Sequence, residues 1–186
     1  METKTIIEAV HYLLDKLGTC DKIKLIKLIF FADKYHLTRY GRSITHDTYF
    51  AMPLGIVGST LKDILSFNSN MLSKQEFKDV SDFIEKIDEN NFKSKKNIEY
   101  SYDMLSETDI EALDFIINNF GNKTQWELSE YSHKYPEWLK YEDELTSGTS
   151  KRFKLKIEEL MSVIENDALF IDNDHINESK RILRGI

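Results

Sequence analysis

Hydrophobic residues recur every three or four positions through most of the chain, and this spacing predicts helices. The first helix carries its stripe on Ile6, Val10, Leu13 and Leu17. Gly18 is expected to end it. The next helix, Lys22–Tyr40, is hydrophobic on nearly every side, so we expect neighbouring elements to pack around it at the centre of the fold. With 7 Gly and 2 Pro, the chain favours long helices over a many-turned fold.

Capping residues mark the starts of three later helices. In each case a Ser or Thr precedes an Asp or Glu by three positions, and the pairs are Ser73 with Glu76, Ser106 with Asp109, and Thr124 with Glu127. The hydroxyl can accept a hydrogen bond from a free backbone N–H, and the carboxylate can reach back to the first residue. The hydrophobic positions behind the first pair predict that its helix continues through Ile87.

Two segments have the composition or alternation of β-strands. Residues 43–52 include β-favouring types, and Ile98, Tyr100 and Tyr102 alternate with polar residues. Because a lone strand leaves its backbone unpaired, we expect the two segments to pair. The predicted fold is mainly α: a compact helical bundle with a small antiparallel β-sheet.

The C-terminal part is predicted to continue in short elements. A short helix is expected after Pro136, and an amphipathic helix over 153–164. Residues 168–171 have a strand-like composition, and a terminal helix is expected through Ile176 and Ile182.

The charge balance and the apolar pattern restrict the classes of partner. The chain carries 25 Lys and Arg against 32 Asp and Glu, for a net charge of -7. Such a field repels phosphate backbones, so nucleic acid is disfavoured as a partner. The longest apolar stretch, 23–37, is interrupted by charged residues, and the N-terminus has no signal-peptide pattern. We therefore predict a cytoplasmic protein that does not span a membrane.

The usual signatures of catalysis and metal binding are missing from the sequence. The 5 histidines have no metal-ligand spacing, and one cysteine, Cys20, cannot form a disulfide or a Cys-based zinc site within one chain. His46 and Asp47 are adjacent and are expected to point in different directions. We predict no metal, no cofactor and no enzymatic activity. An aromatic cluster around Tyr131 and Trp138 has two interpretations, core packing or partner binding.

Four short motifs follow one another in a fixed order. They are Phe31-Ala32-Asp33-Lys34, Gly41-Arg42-Ser43-Ile44, Ala51-Met52-Pro53-Leu54-Gly55-Ile56-Val57, and Ser132-His133 followed by Trp138. Their order and spacing resemble the SocA-like antitoxin family, also called the Panacea domain. The resemblance extends from about Thr3 to Tyr141. Ile56 stands where the family usually has Pro, so the turn after Gly55 is expected to be less rigid than is typical.

The resemblance implies an antitoxin domain over 1–145. The segment over 146–186 lies beyond the resemblance and is expected to be a C-terminal helical extension that packs on the domain. The resemblance also implies an antitoxin of a bacterial or phage pair, which neutralises the toxin of a neighbouring gene by direct protein–protein binding. The alternatives are a proteolytic adaptor that delivers the toxin to an ATP-dependent protease, or a small enzyme. Family members are paired with different toxins, so the resemblance names neither the target nor the oligomeric state.

The partner-binding candidates are the motif residues Asp33, Lys34, Met52, Pro53, Leu54, Gly55, Val57, His133 and Trp138. Whether each of them contacts the toxin or only builds the fold is left open by the sequence.

Overall fold

A computed structural model describes residues 2–68, 70–95 and 101–185. The helices of these residues are α1 (Glu2–Leu17), α2 (Lys22–Tyr40), α3 (Ser59–Ile64), α4 (Lys74–Phe83), α5 (Glu107–Phe120), α6 (Gln125–His133), α7 (Pro136–Leu139), α8 (Glu142–Thr146), α9 (Asn173–Arg184) and one 3₁₀ helix (Ile157–Met161). The strands are β1 (Cys20–Asp21), β2 (Tyr49–Met52), β3 (Gly55–Gly58), β4 (Ile84–Lys86), β5 (Asn91–Ser94) and β6 (Phe153–Lys154). The predicted mainly α fold is confirmed, with two small antiparallel sheets.

Helix α2 is the centre of the fold, as predicted. It begins where the side chain of Asp21 accepts a hydrogen bond from the backbone N–H of Ile23 (2.8 Å), and it ends at Gly41, whose φ is 71°. Every residue from Leu25 to Thr38 is buried. Helices α1, α5, α6 and α9 pack around α2, which explains why it needs hydrophobic residues on nearly every side.

The three predicted capping pairs are confirmed, and each forms a reciprocal capping box at the start of α4, α5 or α6. The prediction that α4 continues through Ile87 is wrong. Helix α4 ends at Phe83, and the chain continues directly into β4, which pairs with β5. Asp88 closes this hairpin because its carboxylate accepts hydrogen bonds from the backbone N–H groups of Asn90 (2.8 Å) and Asn91 (2.9 Å).

The strand pairing differs from the predicted one. Strand β2 has β3 on one edge and β6 on the other, so the segment that ends at Tyr102 is not its partner. Ile98 and Tyr100 lie outside the described residues, and Tyr102 is not in a strand. Residues 43–48 form a loop on α2 rather than part of the predicted strand.

The C-terminal segment packs on α2 in a form that the sequence pattern did not predict. The helix expected over 153–164 is wrong, because β6 completes the edge of β2 and only Ile157–Met161 is helical, as a 3₁₀ turn. The strand-like interpretation of 168–171 is also wrong, since these residues form no strand. The terminal helix is confirmed as α9. The boundary between residues 145 and 146 stays a prediction.

Across the described ranges, no helix is both long and apolar enough to cross a membrane.

Candidate functional site

The hairpin of β2 and β3 brings most of the candidate residues together. Met52 pairs with Gly55, so Pro53 and Leu54 form a two-residue turn between the strands. Gly55 has a φ of 96°, a backbone conformation that residues other than glycine rarely adopt. Both turn residues are exposed, and Leu54 leaves 49% of its surface open to solvent. The turn therefore presents apolar side chains outward.

Four helical side chains contact the backbone of this hairpin. Three of them donate hydrogen bonds, from Ser129 Oγ to the Leu54 carbonyl (2.6 Å), from Trp138 Nε1 to the Met52 carbonyl (2.9 Å), and from Lys27 Nζ to the Ile56 carbonyl (2.9 Å), and the His133 ring lies near the Pro53 carbonyl. We call Lys27, Ser129, His133 and Trp138 the hairpin clamp. They come from α2, α6 and α7, so one turn is fixed to three separate elements of the bundle.

Gly55 has no space for a side chain under the clamp. A Cβ atom at this position would lie 2.0 Å from Ser132 Oγ and 2.6 Å from Lys27 Nζ. The Ser132 hydroxyl is itself fixed, because it donates a hydrogen bond to the backbone carbonyl of Ser129 (2.7 Å). The family glycine is therefore explained by close packing as well as by its φ.

His133 contacts the ring of Trp138 and lies near the Pro53 carbonyl. Its imidazole stacks on Trp138 with ring centroids 3.8 Å apart. Burial lowers the pKa of His133, and the nearby Lys27 lowers it further. Its Nε2 is buried without a hydrogen-bond partner among the residues that the structure describes. The described hydrogen bonds give His133 neither an acidic partner nor a hydroxyl nucleophile, so they support a positioning role.

A cavity of about 370 Å³ opens beside the turn. Its apolar lining is Ile23, Ile26, Met52, Pro53, Leu54 and Val57, and its cations are Lys22, Lys27 and Lys62. We call this cavity the hairpin pocket. It contains four of the nine candidate residues, and Lys27 belongs both to the clamp and to the pocket.

Asp33 lies away from the hairpin pocket, in the interior. Its carboxylate accepts hydrogen bonds from the backbone N–H groups of Ile44 (2.8 Å) and Thr45 (3.0 Å), and from the hydroxyls of Thr45 and Tyr49. Burial raises the pKa of Asp33 to about 6, although these hydrogen bonds pull it down. Asp33 fastens the loop before β2 to α2, and its burial leaves it no surface for a partner.

Lys34 is also interior. Its Nζ lies 2.7 Å from Glu137 Oε1 and donates to the backbone carbonyl of Leu160 (2.8 Å), and both members of the ion pair have no exposed side-chain surface. It also lies 4.2 Å from the centre of the Tyr135 ring. Lys34 therefore joins α2 to α7 and to the C-terminal segment, and direct contact with a partner is not supported.

The structure also shows where the aromatic cluster and the adjacent residues His46 and Asp47 lie. Tyr135 and Trp138 are buried, which assigns this part of the cluster to the core. His46 is exposed, whereas Asp47 is buried and accepts from the backbone N–H groups of Thr60 and Leu61 at the start of α3. The prediction that the two side chains diverge is confirmed. Within the described ranges, no group of three or more His, Cys, Asp or Glu could hold a metal ion.

Three residues of this region were not predicted to be functional. Lys27 is a charged residue in a helix, α2, that is hydrophobic on nearly every side and must therefore be buried. This conflict between charge and burial was the sequence signal for a functional role of Lys27. Ser129 gives no sequence signal, since its bond is to a distant backbone atom. Trp126 leaves 57% of its surface exposed and lies one helical turn before Ser129 on the same face of α6.

Lys27→Met is expected to remove a pH dependence from the stability of the protein. Burial lowers the pKa of Lys27 to about 7. Between that value and the ordinary lysine pKa the unfolded state binds more protons, so the wild-type free energy of unfolding should rise relative to the variant by up to about 1.4 kcal/mol per pH unit. Urea unfolding at pH 7 to 10 measures this difference. Lys78→Met on the exposed face of α4 is the control for loss of a charge, and parallel profiles for all three proteins would contradict the prediction.

The comparison with known families covers the same elements. The family model described as Antitoxin SocA-like, Panacea domain matches residues 25–139, which is more than half of the chain. The matched span includes the hairpin and all four residues of the clamp. Among curated proteins and among solved structures, none matches this chain. The resemblance predicted from the four motifs is confirmed, and the chain belongs to the SocA-like antitoxin family with its Panacea domain.

Proposed function

We propose that this protein is the antitoxin of a toxin–antitoxin pair and neutralises the toxin by binding it directly through the β2–β3 hairpin. The observation that carries the proposal is an exposed apolar turn, Pro53 and Leu54, held rigidly by hydrogen bonds from three buried side chains. Family membership supports the toxin–antitoxin role. The hairpin supplies the contact surface.

Rigidity is what makes this turn suitable for binding. A flexible loop loses conformational freedom when it binds, and that loss lowers its affinity. The clamp fixes the carbonyls of Met52 and Leu54 before any partner arrives. The exposed apolar side chains are therefore preorganised, and their burial contributes to affinity with little ordering cost.

Trp126 extends the same surface. Its indole is among the most exposed large apolar side chains of the described residues, and Ser129, one turn later on α6, bonds directly to Leu54. Tryptophan is enriched among the residues that dominate binding energy at protein interfaces. Together, Leu54 and Trp126 provide two apolar anchors on neighbouring elements.

The test is co-expression with the product of the reading frame adjacent to this one. We expect that product to arrest growth alone, the pair to restore growth, and a stable complex to be recovered by pull-down. If the neighbouring product is harmless, or if it is bound without rescue of growth, the antitoxin proposal fails. A proteolytic adaptor would instead shorten the half-life of the toxin, so an unchanged half-life during rescue favours sequestration.

Leu54→Asp is expected to weaken the complex by about 2 kcal/mol or more, roughly thirtyfold in Kd, because it places a charge where an apolar anchor is buried. Isothermal titration calorimetry on the purified proteins measures the change. Ile87→Asp is the matched control, since Ile87 follows β4 in the other hairpin turn and is 47% exposed, close to the 49% of Leu54. Equal affinities for the two variants would remove the hairpin from the interface.

A further inference from the structure

The hairpin pocket is small and mostly apolar. Its volume of about 370 Å³ is at the lower end of the range of roughly 300–1,000 Å³ for ligand cavities. Six of its nine lining residues are apolar, and it opens directly beside the exposed Leu54. One bulky apolar side chain of a partner therefore fits its shape and its polarity.

The charge of the pocket is opposite to that of the whole protein. The chain has a net charge of -7, yet the lining holds Lys22, Lys27 and Lys62 and no acidic residue. Within the described ranges, none of the three lysines forms an ion pair. Lys22 is half-buried and Lys62 is exposed, and two cations that flank an apolar cavity without a carboxylate in its lining are an arrangement that a negatively charged ligand would stabilise.

The pKa of Lys22 reflects repulsion from neighbouring lysines. Burial lowers the pKa of Lys22, and the neighbouring cations Lys62 and Lys86 lower it further, while Asp63 offsets part of the effect. Like charges that lower one another's affinity for protons also attract an anion placed between them. The electrostatic potential at the mouth of the pocket is therefore positive, although the protein as a whole is acidic.

Lys27 contributes its aliphatic chain to the wall of the pocket. Its Nζ donates a hydrogen bond to the backbone carbonyl of Ile56 (2.9 Å), and the residue is 1% exposed. Burial lowers the pKa of Lys27 to about 7, so the cations that a partner can meet at this pocket are Lys22 and Lys62.

Resting on the proposed antitoxin function, we infer that the hairpin pocket binds an acidic and apolar segment of the toxin. A bulky apolar side chain of that segment enters between Ile23, Met52 and Val57. An Asp or Glu next to it in the toxin binds Lys22 and Lys62 at the mouth. The protein thus recognises its partner by a local positive site, although its overall charge is negative.

The test is a charge reversal at the mouth, Lys22→Glu with Lys62→Glu, in the full-length protein. We expect the complex with the adjacent-frame product to weaken by about tenfold or more, with most of the loss in the association rate. Raising the salt concentration should slow association of the wild type and should speed association of the reversed variant. Surface plasmon resonance at low and high salt measures both effects.

The matched control is Lys74→Glu with Lys78→Glu on α4, which changes the net charge equally outside the hairpin pocket. Equal loss in both double variants would assign the effect to net charge and would overturn the inference. Unchanged affinity at the mouth, with Leu54→Asp still disruptive, would overturn the inference and leave the antitoxin function standing. Failure of the wild type to bind at all would overturn both.

A small carboxylate is the rival occupant, and octanoate is its probe. Saturable binding of octanoate to the wild type, together with unchanged partner affinity in the reversed variant, would assign the pocket to a free ligand and overturn the inference. Competition between octanoate and the toxin, with loss of both in the Lys22→Glu, Lys62→Glu variant, would support it. Circular dichroism of each variant verifies that the fold is retained.

Discussion

Replacing Lys34 with Met is expected to lower the free energy of unfolding by about 3–5 kcal/mol. Met has a similar length, so the change removes the charge without opening a large cavity. It leaves the carboxylate of Glu137 fully buried and without its 2.7 Å ion-pair partner. It also removes the donor to the Leu160 carbonyl (2.8 Å). Urea unfolding of the purified variant measures the loss.

The double variant Lys34→Met with Glu137→Leu should be more stable than either single variant. Removing both charges removes the unpaired carboxylate, and what remains is the cost of the unsatisfied Leu160 carbonyl and of the Ser162 hydroxyl, which loses its acceptor Glu137; each such group costs about 1–3 kcal/mol. The exposed pair of Lys140 and Glu159 is the control, because Lys140→Met should cost far less than Lys34→Met. Additive losses across the Lys34–Glu137 cycle would show that the two charges are not coupled.

Gly55→Ala is expected to lower the free energy of unfolding by at least about 2 kcal/mol and to weaken the complex with the toxin. The added methyl group must coexist with a φ of 96° and with Ser132 Oγ at 2.0 Å. Because Lys27 holds the Ile56 carbonyl and the Ser132 hydroxyl is bonded to the Ser129 carbonyl, a movement of the hairpin that relieves the contact also displaces the turn. Thermal unfolding and calorimetric titration with the toxin measure the two effects.

Gly148→Ala separates the two causes. Gly148 also has a positive φ, 75°, but a Cβ atom there would meet nothing within 4 Å. Its variant should therefore lose only the backbone part, about 1 kcal/mol. Adding Ser132→Ala to Gly55→Ala should restore part of the stability, and no restoration would mean that the contact with Ser132 is not the cause.

The helical part of the fold was predictable because its signals are local. The hydrophobic stripe of α1, the all-round hydrophobic α2 and the three capping boxes each lie within one segment, and the structure confirms them. The strands were harder. Strand β6 has two residues and exists because β2 offers it an open edge about 100 positions earlier in the chain, which no local pattern encodes.

The candidate site shows the same division. The family motifs named residues that the structure brings together, since Met52, Gly55, His133 and Trp138 meet at one hairpin. They did not separate the residues that face solvent from those that build the fold, because a motif records identity and not exposure. Burial of Asp33 and Lys34 became evident only when their distant partners were placed. The positive pocket needed Lys22 and Lys62 from two different helices.

The hairpin clamp contacts the backbone of the turn and not its side chains. Its three hydrogen bonds end on main-chain oxygens, which are the same for every amino acid. Substitutions at 53 and 54 can therefore alter the outward surface while the anchoring bonds persist, whereas a side chain at position 55 meets a steric conflict. The hairpin thus combines a constant frame with a variable tip, so that under the proposed function a change of target would need a few substitutions at the tip and no redesign of the bundle beneath it.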